Sequence, residues 1–179
     1  MWKPTIRKQL VGVLLSLSLL PASAMAGIGD TFPSERKLIK DPVTGVNIAF
    51  LTSRPVGDSK IYPTHPQWTA DGEWLVFRSN RVPGEAMAVN EQDGTLVQIS
   101  EGGYFGMLVN AQKSNTLYLM RDPQFAADKQ PRYGRSDNDK QIIEVNLGTL
   151  LADARAKQVK PASHYQRVVG VVPGSMGAG

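Results

Sequence analysis

Pro66-Gln67-Trp68-Thr69-Ala70-Asp71-Gly72-Glu73-Trp74-Leu75-Val76-Phe77-Arg78-Ser79-Asn80-Arg81 is the stretch on which the reading of this chain turns. Two largely apolar runs flank Asp71-Gly72, and Asp and Gly tolerate the positive φ that a tight hairpin turn requires. The second run alternates, with Trp74, Val76 and Arg78 on one face of a strand and Leu75, Phe77 and Ser79 on the other. The stretch therefore reads as strand, turn, strand, in a sheet with two unlike faces.

Working outward, the same pattern returns. Thr116-Leu117-Tyr118-Leu119 stands 42 positions after Trp74-Leu75-Val76-Phe77, an interval that suits one four-stranded repeat. Met87–Asn90 has a counterpart in Ile143–Asn146, and Leu96–Ser100, behind the Asp93-Gly94 turn, has one in Ile48–Thr52, behind Gly45. Strands are expected at Ile48–Ser53, as the last strand of a preceding repeat, and in two full repeats. The first takes Pro66–Thr69, Trp74–Arg78, Ala86–Asn90 and Leu96–Ser100. The second takes Phe105–Ala111, Thr116–Arg121, Ile142–Leu147 and Arg167–Val172. Asp122 to Lys140, charged and broken by Pro and Gly, is expected to be a long exposed loop. Gly148 to Ala156 is expected to be a short helix in place of the usual turn, with Leu150, Leu151 and Ala154 packing down while Asp153 and Arg155 face water.

The W-[ST]-x-D-G-x-x-[LIV]-x-[FY]-x-S-x-R pattern of Trp68–Arg81 resembles the repeat of TolB-like β-propellers. The fold class expected is all-β: a partial β-propeller of about two four-stranded blades plus the edge strand of another, with a short helix in the second blade. Blade one spans about 61–100 and blade two about 104–172, inside an incomplete propeller at 40–179 that follows an N-terminal linker at 27–39. A propeller needs about four to eight blades, and a repeat array needs neighbours to bury a continuous core. The chain is thus expected to be a fragment or truncated frame needing its missing blades; the rival is a small exported β protein that completes its sheets with a partner chain.

Residues 1–26 read as a secretory signal: Lys3, Arg7 and Lys8, then apolar Leu10–Leu20, then the small-x-small site Ala24-Met25-Ala26. The apolar run is short for a membrane span, so the product is expected to be periplasmic or secreted, with no membrane contact after signal removal. Cleavage takes three of the 20 basic residues and leaves 17 against 16 acidic, so the net charge falls from +4 to +1. No basic patch of the kind nucleic-acid binding needs remains. With no cysteine, disulfide staples and thiolate chemistry are excluded, and stability rests on packing.

A longer match follows. Lys40–Thr52 looks like the opening of oligogalacturonate lyases, in which a D-x-x-T-G turn, here Asp41, Thr44 and Gly45, precedes a strand ending in Leu51-Thr52. Ile61–Gly72 continues in register, and Gln98-Ile99-Ser100-Glu101-Gly102 is similar to that family's Q-L-T-x-G. The resemblance implies β-elimination on short pectin-derived uronides, with a histidine base and a manganese ion held by histidines and a glutamine. These lie in later blades, and the chain has only His65 and His164. No catalytic residue is therefore assigned, no metal ligand and no cofactor is expected within this chain, and manganese is implied only for the complete family member.

What can be placed is a binding rim. Loops before the first strand and after the second strand of a blade open on one face, and the Asp-Gly turns open on the other. His65, Arg81 and Arg121 are the candidate substrate-binding residues, since cationic side chains there suit a uronate carboxylate and Arg can bind it bidentately. Plainer readings stand beside them: His65 as a strand-start residue, Arg81 as a brace of its own loop or a salt bridge to Glu85, and Arg121-Asp122 as a solvated pair. Trp68, Trp74 and Tyr118 read as packing residues. Gly174-Ser175-Met176-Gly177 lacks the spacing of a nucleophile elbow, and Asp137 and Asp139 lack the rest of a calcium loop. The function expected is the lyase reading for the complete protein, with an acidic oligosaccharide as partner. A non-catalytic TolB-like propeller that binds a protein or peptide is the alternative, and a remnant without activity is a third.

Overall fold

The computed structural model describes residues 26–124 and 137–176. The signal at 1–26 lies outside them except for its last residue, as does most of the 122–140 loop. The described chain runs β1 (Thr31–Phe32), β2 (Lys37–Lys40), β3 (Asn47–Phe50), β4 (Ser59–Lys60), β5 (Trp74–Arg78), β6 (Ala86–Asn90), β7 (Leu96–Gln98), β8 (Leu108–Asn110), β9 (Thr116–Arg121), β10 (Lys140–Asn146), α1 (Leu147–Ala156) and β11 (Gln166–Val172). Three antiparallel sheets form, in the orders β1-β7-β6-β5-β4, β11-β10-β9-β8 and β2-β3. This is a partial propeller-like all-β fold with one helix.

The first sheet grows from the opening motif. Gly72 and Gly94 take φ of 75° and 73° at the turns before β5 and β7. Thr69 Oγ1 donates to Asp71 Oδ1 at 2.6 Å and closes the first turn. The inner edge departs from expectation. Pro66–Thr69 makes one bridge, Trp68 to Leu75, while β4 pairs with the far end of β5, Ser59 opposite Arg78. The backbone between them loops out, as Pro63 and Pro66 bring no N–H to a ladder.

The segment expected to be a linker carries two strands. β1 pairs outside β7, Thr31 opposite Val97, and covers that sheet edge. β2 pairs with β3, Lys37 opposite Phe50, so the strand expected at Ile48–Ser53 is one arm of a hairpin. Its turn is the D-x-x-T-G sequence: Asp41 Oδ1 accepts from Val43 N at 2.8 Å, Asp41 Oδ2 from Thr44 Oγ1 at 2.9 Å, and Gly45 has φ 72°.

Two faces pack against each other to make the main core. Trp74, Val76, Ala88 and Val97 from the first sheet meet Leu108, Leu117, Leu119, Ile143 and Val145 from the second. Helix α1 adds Leu147, Leu150, Leu151 and Ala154, as its apolar spacing requires. Asn146 caps it by accepting from Thr149 N, and Lys157 ends it in the left-handed region. The exposed side of α1 also works: Arg155 lies over the Trp74 ring at 5.0 Å and 3.6 Å from Asp93. At the turn end, Asn115 hydrogen-bonds both the amide and the carboxylate of Asp71, tying the β8–β9 turn to the β4–β5 side.

Candidate functional site

Arg81 follows β5 and Arg121 closes β9, so both lie at the end of the two sheets opposite the Asp71–Asn115 tie. His65 lies in the looped-out backbone of the inner edge. No hydrogen bond or ion pair joins the three; each belongs to its own network.

Arg81 is buried by an N-terminal partner the sequence did not suggest. Its guanidinium donates to Glu35 Oε1 at 3.1 Å and Oε2 at 2.6 Å, to Ser79 Oγ at 2.8 Å and to Asp58. The side chain is 1% exposed. Burial alone would raise the Glu35 carboxyl, but the bond from Arg81 and those from the Ser53 and Arg54 amides outweigh it and hold it at about 2. Burial likewise opposes the charge on Arg81, and the bonds to Glu35 and Asp58 reverse the effect and raise its pKa. The brace is therefore real, but its partners are Glu35 and Asp58 rather than Glu85. Nothing in the local sequence marks an ion pair across 46 positions.

Glu85 is occupied elsewhere. It accepts from Ser100 Oγ at 2.6 Å and Gly103 N at 2.8 Å. Burial raises its carboxyl above the ordinary value, against the pull of those bonds and of the Arg121 charge. Arg121 lies over Gly102, whose missing Cβ leaves room for the guanidinium, and donates to the Glu101 and Gly103 carbonyls. Desolvation lowers its pKa, offset in part by the charges of Glu85 and Glu101. With Ser163, Gln166 and Arg167 it lines a cavity of about 230 Å³.

Asp122 corrects the reading of a solvated pair with Arg121. It is fully buried and lies 3.5 Å from Lys140 Nζ, with Asn138 Nδ2 donating to it at 3.1 Å. Lys140 lies 5.2 Å from the Phe105 ring centroid. The two ends of the long loop are thus clasped inside the protein.

His65 lines a largely apolar concavity of about 740 Å³ together with Lys60, Tyr62, Arg78, Met107 and Ile142. Its ring lies 5.4 Å from that of Tyr62, and its Nδ1 is buried without a hydrogen-bond partner. Arg78, in phase with Trp74 and Val76, reaches across to donate to Gly106 O at 2.8 Å. Of the aromatic residues, Trp74 is buried and Trp68 is 37% exposed. Tyr118 donates to Glu144 at 3.1 Å. Among the described residues no three His, Asp or Glu side chains gather where they could hold a metal. This donor set does not fit manganese. No helix among them is long and apolar enough to cross a membrane.

The fold defines the class: a partial propeller-like all-β protein. Among solved structures the chain is similar to an oligogalacturonate lyase in complex with manganese, at TM-score 0.55 and 21% identity, over 83% of this chain and 32% of that one. At that identity the likeness is one of fold, and this chain spans about a third of that lyase's length. An oligogalacturonate lyase from Vibrio parahaemolyticus also matches, at 14% identity over 81% of this chain and 49% of that chain, but its TM-score of 0.40 adds nothing to the argument. No protein-family model and no curated protein matches the sequence.

Proposed function

We propose that this chain is part of an exported propeller of the oligogalacturonate lyase kind, whose complete form cleaves pectin-derived oligogalacturonides by β-elimination in the periplasm or outside the cell. The fold likeness over 83% of the chain is the observation that carries the reading. In β-elimination a base takes the proton α to the uronate carboxylate and the glycosidic C–O bond breaks, leaving an unsaturated sugar. No described residue is assigned as that base. The contribution of these residues is to bind. His65 would contact the acidic sugar from the wall of its concavity and Arg121 would supply a cation, while Arg81 keeps the rim in shape through Glu35 and Asp58.

A complete form given digalacturonate with and without manganese should yield unsaturated product, followed by ultraviolet absorbance, only when the metal is present. Absence of product under both conditions would remove the lyase reading. Arg121→Ala in that form should raise KM several-fold while the far-ultraviolet circular dichroism stays unchanged. An unaltered KM would take Arg121 out of the rim.

A further inference from the structure

We propose that Glu85 is an internal counter-charge for Arg121, and that a proton taken up by Glu85 frees Arg121 to bind the carboxylate of an acidic sugar. This rests on the assignment of Arg121 to the uronate, to which it adds control by pH, and it does not depend on the elimination chemistry.

The two charges are held apart by a single run of backbone. Residues 100–103 lead from β7 towards blade two. On one side of them Glu85, only 4% exposed, accepts from Ser100 Oγ at 2.6 Å and from Gly103 N at 2.8 Å. On the other side Arg121 donates to the carbonyls of Glu101 and Gly103. Gly103 therefore turns its N–H to the anion and its C=O to the cation. Gly102, at φ 88°, lets the guanidinium lie against the run, since a Cβ there would stand 3.0 Å from Arg121 Cζ. Among the described residues, neither Glu85 nor Arg121 meets an opposite charge at ion-pair distance.

A buried carboxylate bonded to neutral donors is costly to keep ionised. Burial accordingly lifts the Glu85 carboxyl above its ordinary range, while its hydrogen bonds and the Arg121 charge pull the other way. The Glu85 charge in turn favours the Arg121 cation against desolvation. Each group thus feels the other across the backbone between them.

Arg121 also faces the cavity of about 230 Å³ that Ser163, Gln166 and Arg167 share. Arg167 is paired with Glu144 at 2.7 Å, and Arg81 is held by Glu35 and Asp58. An entering carboxylate therefore meets Arg121 without breaking an ion pair. With Glu85 ionised, much of the Arg121 charge is cancelled from behind; with Glu85 protonated, the whole cation acts on the cavity, and partial burial keeps that attraction from being screened away. An ordinary carboxylate stays ionised above about pH 4, so a window exists in which Glu85 holds a proton and the sugar does not. Two other titratable groups stand close. Glu101 also acts on Arg121 and accepts from Ile28 N at 3.1 Å, and His164, next to Ser163, lies 3.4 Å from Lys160 Nζ and against Tyr165.

Galacturonate is the probe, titrated into the exported chain by NMR, with galactose as the neutral control. Affinity for galacturonate should rise about five-fold between about pH 7.5 and about pH 5, with protons taken up on binding, while galactose shows no such change. Arg121→Ala should abolish the uronate-specific binding. Glu85→Gln, neutral at every pH, should bind at the higher pH as tightly as the wild type does at the lower, and lose the pH dependence; Glu101→Gln and His164→Gln should keep it. If Glu85→Gln is unfolded by circular dichroism, Ser100→Ala replaces it. That change removes a donor that favours the ionised carboxylate, so the rise in affinity should come at higher pH. Binding that needs Arg121 but is flat with pH overturns the proposal and leaves Arg121 in the rim. So does a pH dependence that survives Glu85→Gln, or weaker binding in that variant, which would make Glu85 an orienting group. Binding indifferent to Arg121→Ala, or no binding at any pH, overturns the proposal and the assignment of Arg121 together.

Discussion

Arg81 shows how a residue picked for binding can belong to the frame. Its cation is shared by two carboxylates, Glu35 from the N-terminal segment and Asp58 from the stretch before β4. Removing one partner of a buried pair leaves the other charge without compensation, so Arg81→Ala should cost about 3 kcal/mol, read as a fall in the urea midpoint. Glu35 adds a pH dependence of known sign. Its folded pKa, about 2, lies below the ordinary 4.5, so its contribution is present above pH 4.5 and is lost as pH falls towards 2. Glu35→Gln should flatten that part of the stability profile. An unchanged slope would mean that other carboxylates carry the acid sensitivity.

At the scale of elements, α1 is the departure from a plain four-stranded repeat that the sequence announces. Leu150, Leu151 and Ala154 fall at helical spacing, and Asn146 supplies the cap. Asn146→Ala should cost about 1 kcal/mol, since it removes the acceptor for the Thr149 amide. A change within error would show that the packed face holds the helix without its cap. The strands β5, β6 and β9 were legible as largely apolar runs of five or six residues bounded by turn residues. β1 and β2 were not. β1 has two residues and forms only because β7 has a free edge, and β2 carries a lysine at each end and is recognisable only beside β3.

Among the described residues the two larger sheets share one main core. Ile143 in β10 and Trp74 in β5 belong to the same buried cluster, so the two blades should unfold as one unit. Of the three tryptophans, Trp2, Trp68 and Trp74, the two among the described residues lie in the first sheet or beside it, so their fluorescence follows that sheet and the core it shares with the second. Ile143→Ala in blade two should destabilise by about 2–5 kcal/mol and shift the fluorescence and circular dichroism midpoints together. A fluorescence transition that stays in place would show that the blades unfold independently.

The sequence by itself determined the repeat, its strands, the helix and the turn glycines, because these follow from spacing and φ preferences within a few residues. Strand order also places Arg81, after β5, and Arg121, at the end of β9, at the same end of the two sheets. Only the tertiary structure decided what those cations do. Arg81 meets Glu35 and Asp58, Asp122 meets Lys140, and Arg121 meets main-chain carbonyls, all through contacts between distant segments or with backbone groups. A charge's partner is set by which segments the fold brings within a few ångströms, and no local pattern records that distance.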